Sequence, residues 1–369
     1  MIKNKPLYRF TQRSLPLDLP LLGLLLLLIL FGLVILYSAS NENLSMVFRQ
    51  ALRLGMALVA MTAFAFIPPH KYKVWAPWLY GIGLSLLLAV MIMGKIGKGA
   101  QRWLDLGLFR FQPSEIMKLA VPMMAAWYLD RSKYPIDIKY FLITGLLIFV
   151  PAILIAKQPD LGTAIMVSAS GLCVIFMAGI PLRIIVISGL ALILAAPLGW
   201  HVLHDYQKQR IFTLLNPEQD PLGSGYHIIQ SKIAIGSGGA FGKGWLAGSQ
   251  SHLNFLPEHA TDFIFAVCGE EFGFVGSILL IFCVVLITMR GLQIVQQAQT
   301  TFTRLLAAGL IMTFFLSAFV NISMVMGIVP VVGIPLPMVS YGGSAMITFL
   351  ASFGILMSIS SHRIFFNHL

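Results

Sequence analysis

From Leu19 almost to the C-terminus the chain is a succession of apolar stretches, each near the ~20 residues a helix needs to cross the hydrocarbon core of a bilayer. In lipid every backbone polar group must be satisfied internally, so repeated stretches of that length lead to bundled helices. The overall balance agrees, with 58% of the 369 residues hydrophobic and 11% charged, which excludes a water-soluble domain of this length. We read an all-α integral membrane protein, a single polytopic domain over residues 1–369. About ten transmembrane helices are expected, at about 19–39, 48–67, 76–94, 115–130, 140–157, 161–179, 183–200, 263–289, 304–326 and 340–360, with one long extracytoplasmic loop, 201–262, between spans 7 and 8.

The N-terminal cations Lys3, Lys5, Arg9 and Arg13 precede the run Leu19–Leu36, and Ser38-Ala39-Ser40 resembles a cleavage site. That run exceeds the usual signal-peptide core of about 7 to 15 residues, so it reads as a retained first span. With the N-terminus inside, 13 of the 25 Lys and Arg fall on inner segments and eight on outer ones, leaving out the four in the long loop. This bias places both termini in the cytoplasm. It puts three candidate functional regions outside: Lys95–Glu115, Lys157–Thr163 and His201–Asp262. The net charge of +11 points to anionic lipid headgroups and phosphates rather than nucleic acid, because many cations flank apolar spans. Cys173, Cys268 and Cys283 fall inside spans without metal or disulfide spacing and read as small buried residues.

The strongest chemical signal is Pro257-Glu258-His259-Ala260-Thr261-Asp262-Phe263 at the mouth of an apolar run. A carboxylate there is partly desolvated, which makes it a better general base than a fully hydrated one, so Asp262 is the candidate catalytic residue. The alternative is that Asp262 only complements the helix N-terminus. Glu270 and Glu271 lie deeper, where a carboxylate costs about 2.5–3.5 kcal/mol and needs a partner, and a structural ion pair is the first expectation for them.

A second cluster runs from Lys98-Gly99-Ala100-Gln101-Arg102-Trp103 to Gln112-Pro113-Ser114-Glu115 and Lys118. Glu115 and Lys118 are three apart and share a helix face, so a buried pair is expected. Arg102 and Lys118 are candidates for the phosphates of a lipid carrier, with pairing to Glu115 ahead of phosphate contact for Lys118. Asp160, in Lys157-Gln158-Pro159-Asp160-Leu161-Gly162-Thr163, stands at a helix start, with capping as its default role and substrate contact as the alternative.

In the long loop, Tyr206-Gln207-Lys208-Gln209-Arg210 sets two cations beside an aromatic, either as an interfacial anchor or as a substrate contact. Tyr226–Ile235 reads as an interfacial amphipathic helix with its isoleucines toward lipid. Gly236–Gly244 is not a nucleotide loop: Ser237 stands where the first glycine is required, Gly244 replaces the Ser or Thr, and no strand precedes it. A glycine hinge, or a loop whose N–H groups and Lys243 approach phosphate, remains. Val329–Ser344, rich in Pro and Gly between two spans, reads as a rigid segment lining a cavity, with Ser340 in it.

These segments resemble the SEDS family of shape, elongation, division and sporulation proteins over nearly the whole length. Gly99-Ala100-Gln101-Arg102-Trp103, Gln112-Pro113-Ser114-Glu115, Gln158-Pro159-Asp160-Leu161-Gly162-Thr163, Pro257-Glu258 with Thr261-Asp262-Phe263, and Pro335-Leu336-Pro337 with Ser340-Tyr341-Gly342-Gly343 occur in the family's order. Tyr226–Lys232 and Gly242-Lys243-Gly244-Trp245 resemble its elongation branch more than its division branch.

The resemblance implies a ten-span glycosyltransferase of the bacterial cytoplasmic membrane. It would join lipid II units through β-1,4 bonds during cell elongation, release undecaprenyl pyrophosphate, and work with a class B penicillin-binding transpeptidase and other elongation proteins. It makes Asp262 the essential carboxylate. Arg102, Gln112, Glu115, Lys118, Asp160, Lys208, Arg210, Lys243 and Ser340 are the candidate substrate-binding residues. A divalent metal, magnesium or manganese, is an expected aid to the departing pyrophosphate, although the sequence shows no ligand set for it. The chain departs from the family pattern at Ala260, where His normally precedes the Thr-Asp pair, with His259 one place earlier. The rival classes are a lipid II flippase or secondary transporter, which would need a cavity through the membrane, and a non-catalytic scaffold.

Overall fold

The computed structural model describes residues 16–97, 100–105, 110–132, 136–202, 205–219, 223–252 and 258–362. Lys3, Lys5, Arg9, Arg13, Lys98, Gly99, Lys133, Phe255–Pro257 and Arg363 lie outside the described residues.

Ten helices stand where the sequence places ten spans: α1 Leu19–Ala39, α2 Leu44–Phe66, α3 Pro69–Met93, α4 Pro113–Leu129, α5 Ile138–Lys157, α6 Leu161–Met177, α7 Leu182–Val202, α11 Ile264–Gln297, α12 Thr301–Val325 and α13 Ser344–Ser361. Among the described residues seven of them are long and apolar enough to cross a membrane, and α6 is a shorter apolar helix. Their starts follow local chemistry. Asp18, Asn43, Asp160 and Thr300 accept backbone N–H bonds at the starts of α1, α2, α6 and α12, and Pro113 occupies the first turn of α4.

The centre of the bundle is α12 and α13, the most enclosed of the spans. α13 packs along α2, α12 lies against α11, α6 and α4, and α1 covers α11. α7 makes no extensive helix–helix contact among the described residues, and Ile185–Leu190 along its length is exposed.

The structure revises three expectations. The segment before α4 adds strands to the expected all-α chain: β1 Lys95–Gly97, β2 Ala100–Asp105 and β3 Arg110–Phe111 form a small antiparallel sheet in the order β1-β2-β3. Strands of two to six residues are too short to show a period of two. The long loop holds, among the described residues, the helices α8 Asp205–Leu215, α9 Ser224–Ser237 and α10 Ser249–His252 and a short 3-10 turn at Pro217–Gln219. α9 does not turn its isoleucines to lipid. Ile228 is buried, Ile235 packs on Gly269, and Ser231 donates to the Val325 carbonyl of α12 at 2.8 Å, leaving Ile233 exposed. An amphipathic face fits a protein groove as well as a lipid surface, and α11 and α12 supply the groove.

At the end of the bundle where α1 begins, Asp18 ties three helices. It caps α1 through the Leu21 N–H (3.2 Å) and receives Arg290 of α11 at 3.0 and 2.8 Å and Ser360 of α13 at 2.8 Å. Burial works to raise the Asp18 carboxyl. The bonds from Arg290, Ser360 and the Leu21 N–H, together with the Arg290 charge, outweigh it and hold the carboxyl below its ordinary 3.8. A depressed carboxylate stabilises fully above the unfolded value, and its contribution is lost as pH falls through the folded one. Detergent-purified protein should therefore lose an Asp18-dependent part of its thermal stability below pH 3.8. The check is melting temperature against pH for wild type and Asp18→Asn. Parallel acid limbs in the two would refute the role.

Candidate active site

Asp262 sits on a turn immediately before α11, whose N-cap position falls on Phe263 rather than on Asp262. The turn closes on Glu258, whose carbonyl receives the N–H of Thr261 (3.0 Å) and of Phe263 (3.3 Å). Glu258 takes a left-handed conformation, and its carboxylate accepts the Thr261 hydroxyl at 2.6 Å.

Three bonds fasten this turn to the rest of the bundle. The Tyr341 N–H reaches the Ala260 carbonyl (2.9 Å), the Ser340 hydroxyl donates to the Thr261 carbonyl (2.6 Å), and Asn321 of α12 donates to the Asp262 carbonyl (2.8 Å). Ser340 also accepts the Leu336 N–H at 2.8 Å, so its hydroxyl couples the turn to the Pro-rich segment. Gln50 of α2 holds that segment from behind, donating to the Ser340 carbonyl at 3.1 Å and accepting the Gly342 N–H at 3.4 Å.

The half-buried Asp262 carboxylate faces Gly333, where a Cβ would lie 3.5 Å from Asp262 Oδ2. Gly333 has φ of +74°, so glycine supplies both the backbone shape and the room.

The same segment meets the start of α6, where a Cβ at Gly162 would come within 2.7 Å of the Val332 carbonyl. Asp160 caps α6 through the Thr163 N–H (3.2 Å), accepts Gln112 Nε2 (2.9 Å) and stands 3.8 Å from the Arg102 guanidinium. Arg102 also donates to the Pro159 carbonyl. Arg102, Gln112, Asp160, Ser340 and Asp262 are thus joined through the contact of Gly162 with Val332, next to Gly333. Beside them a cavity of about 340 Å³ opens between α6, α8, α12 and the Pro-rich segment, lined by Leu161, Ile165, Ile211, Val320, Val329 and Pro330 with Gln207 and Arg210 at its polar edge.

The other candidates stand apart. Lys118 and Glu115 form the buried pair expected from their spacing, at 2.7 Å, with Lys118 also over the Phe349 ring. Lys243 lies 2.7 Å from Glu270 on the far side of the α11 start. Lys208 is half-buried on α8 and does not line the cavity. Among the described residues no group of three or more His, Cys, Asp or Glu side chains is placed to hold a metal ion. Sequence reasoning missed Asn321 and Gln50, although Asn321 is a lone amide inside an apolar run, where an unpaired polar group is expensive; Gln50, between Arg49 and Arg53, gives no such signal.

Residues 19–364 match the profile of the FtsW/RodA/SpoVE cell cycle protein family. The chain belongs to this family. Its relatives include the peptidoglycan glycosyltransferase MrdB of Escherichia coli K12, 54% identical over 351 residues and covering 94% of each chain. The stage V sporulation protein E of Bacillus subtilis is 34% identical, covering 95% of this chain and 99% of that protein. Among solved structures, a chain of a peptidoglycan synthase complex described as coordinating polymerization and crosslinking matches at TM-score 0.82 and 32% identity, over 93% of this chain and 97% of that one. The rod shape determining protein RodA of Thermus thermophilus matches at TM-score 0.71 and 28% identity, over 94% and 97%. In the fold the sheet, the α6 start, the α11 turn and the Pro-rich segment adjoin one another.

Proposed function

We propose that the chain is a peptidoglycan glycosyltransferase that polymerises lipid II during cell elongation, with Asp262 as its general base. The observation that carries this reading is the anchored Asp262 turn, where the carboxylate meets a left-handed glycine beside a cation-edged apolar cavity. Family membership and the relatives named as peptidoglycan glycosyltransferases support the same activity.

In the reaction, Asp262 takes the proton of the acceptor 4-hydroxyl as that oxygen attacks the donor's anomeric carbon. The new C–O bond forms with inversion, the anomeric carbon–phosphate oxygen bond breaks, and undecaprenyl pyrophosphate leaves with the electron pair. Positive charge near the departing oxygens stabilises the transition state. Arg210 at the cavity edge and Arg102 at the α6 start are the cations we assign to it. Lys118 and Lys243, neutralised by Glu115 and Glu270, take structural roles.

We assign the Asp262 end of the bundle to the outer face and both termini to the cytoplasm. Lys71, Lys73, Arg131, Lys139, Arg183, Arg290 and Arg304 all fall on the segments joined to the Asp18 end, as positive-inside counting requires. A class B transpeptidase is the proposed partner, supported by the likeness to a chain from a synthase complex. The test is polymerisation of labelled lipid II by purified protein, alone and with such a transpeptidase. Muramidase-sensitive polymer is expected in at least the paired reaction. No polymer in either reaction, with folded protein, would overturn the reading in favour of transport or scaffolding.

A further inference from the structure

Asn321 is fully buried near the C-terminal end of α12, and its single amide nitrogen donates to two carbonyls, that of Asp262 at 2.8 Å and that of Ile334 at 2.7 Å. Its orientation is fixed by those partners, since turning the amide over would set oxygen against two oxygens. Its Oδ1 is buried with no hydrogen-bond partner. A half-satisfied amide inside an apolar span is a liability, so what the NH₂ group achieves has to outweigh it.

The two carbonyls it joins belong to the residue that carries the carboxylate and to the neighbour of Gly333, which that carboxylate faces. The Tyr341 N–H and the Ser340 hydroxyl hold the turn at residues 260 and 261, whereas Asn321 takes hold of Asp262 itself. We propose that Asn321 is the positioning residue of the active site, clamping the Asp262 backbone to the Pro-rich segment and so fixing the height of the carboxylate above the acceptor hydroxyl. The inference rests on the reading of Asp262 as the base. It requires a primary amide at this length: Asp matches the shape but lacks the paired donors, Ser offers one hydroxyl, and Leu offers none.

The test compares Asn321→Asp, Asn321→Ser and Asn321→Leu with wild type and Asp262→Asn, each purified in detergent, with the folded fraction measured by monodisperse elution and melting temperature. Initial rates are taken against lipid II concentration. Misplacement of a reacting group by about 1 Å costs on the order of 100-fold in rate. Turnover per folded molecule should therefore fall about 100-fold in the Asp and Leu variants and less in Ser, with KM within about threefold of wild type.

A residue that only stabilises the bundle would lower the folded fraction and leave turnover per folded molecule unchanged, which would overturn the proposal. So would a raised KM at intact turnover, or the failure of all three variants to fold. Asp262→Asn separates the two levels. If it is inactive while Asn321 variants turn over normally, the positioning role alone fails, and if it is active, the assignment of the base fails.

Discussion

Asp262→Asn and Asp262→Ala should each leave folded, membrane-inserted protein that makes no detectable glycan polymer from lipid II. General-base catalysis contributes about 10²–10⁴-fold, and the amide of Asn cannot accept the acceptor's proton. Asn is the sharper variant because it retains the shape of a half-buried side chain facing Gly333, where a Cβ would already stand 3.5 Å from Oδ2. The turn should survive, since the substitution leaves in place the bonds that anchor it through the carbonyls of residues 260, 261 and 262. Melting temperature should change little while activity disappears. Equal polymer from wild type and Asp262→Asn would remove Asp262 from the chemistry. Loss of polymer together with loss of the monodisperse folded species would leave only a structural role for it.

How much of this could be read beforehand depended on whether the signal was local. Apolar runs announce helices by length alone, and a helix covers each of the ten expected stretches, although α3 begins at Pro69 and α11 runs on to Gln297. Glu115–Lys118 was legible because three residues bring two side chains to one helix face within a single turn. Asp262 was legible as an acid ahead of an apolar run, although its anchoring was not. Asn321 is 59 residues away and the Asp18–Arg290 pair is 272 residues apart, so no window of sequence contains both partners. Lys243 was legible as a cation but not as a neutralised one, because its partner, Glu270, arrives from another element. The small sheet escaped for the opposite reason: its strands are local but too brief to show alternation.

The glycine-rich loop is the element whose chemistry was most concealed, and it leads to the second large expected effect. α11 breaks at Gly273, which has φ of +65° and ψ of −158°, nine residues past its first one, and the loop fills the break. Lys243 and Gly244 N–H groups donate to the Glu270 and Glu271 carbonyls at 3.0 and 3.1 Å. Phe274 and Val275 N–H groups donate to the Gly239 and Ala240 carbonyls at 2.9 and 3.1 Å. The backbone groups freed by the break are thereby re-satisfied inside the protein, as a broken membrane helix requires. Glycine is needed for contact this close, since a Cβ at Gly242 would lie 2.0 Å from the Glu271 carbonyl oxygen.

Lys243 then reaches the fully buried Glu270 carboxylate at 2.7 Å, where the Ser249 hydroxyl (3.1 Å) and the Gln250 N–H (3.0 Å) also converge. Lys243→Ala removes the cation and leaves a buried charge uncompensated, which costs about 3–5 kcal/mol; the lower end is expected because the Lys243 side chain is itself partly exposed. The variant should accumulate poorly and melt far below wild type. Lys243→Met combined with Glu270→Gln should recover most of that loss, because the neutral amide still accepts from Ser249 and Gln250 and leaves no charge behind. Detergent melting of Lys243→Met, Glu270→Gln and the double variant completes the cycle. Full stability in Lys243→Ala would break the latch and return Lys243 to the set of cations able to meet the lipid pyrophosphate.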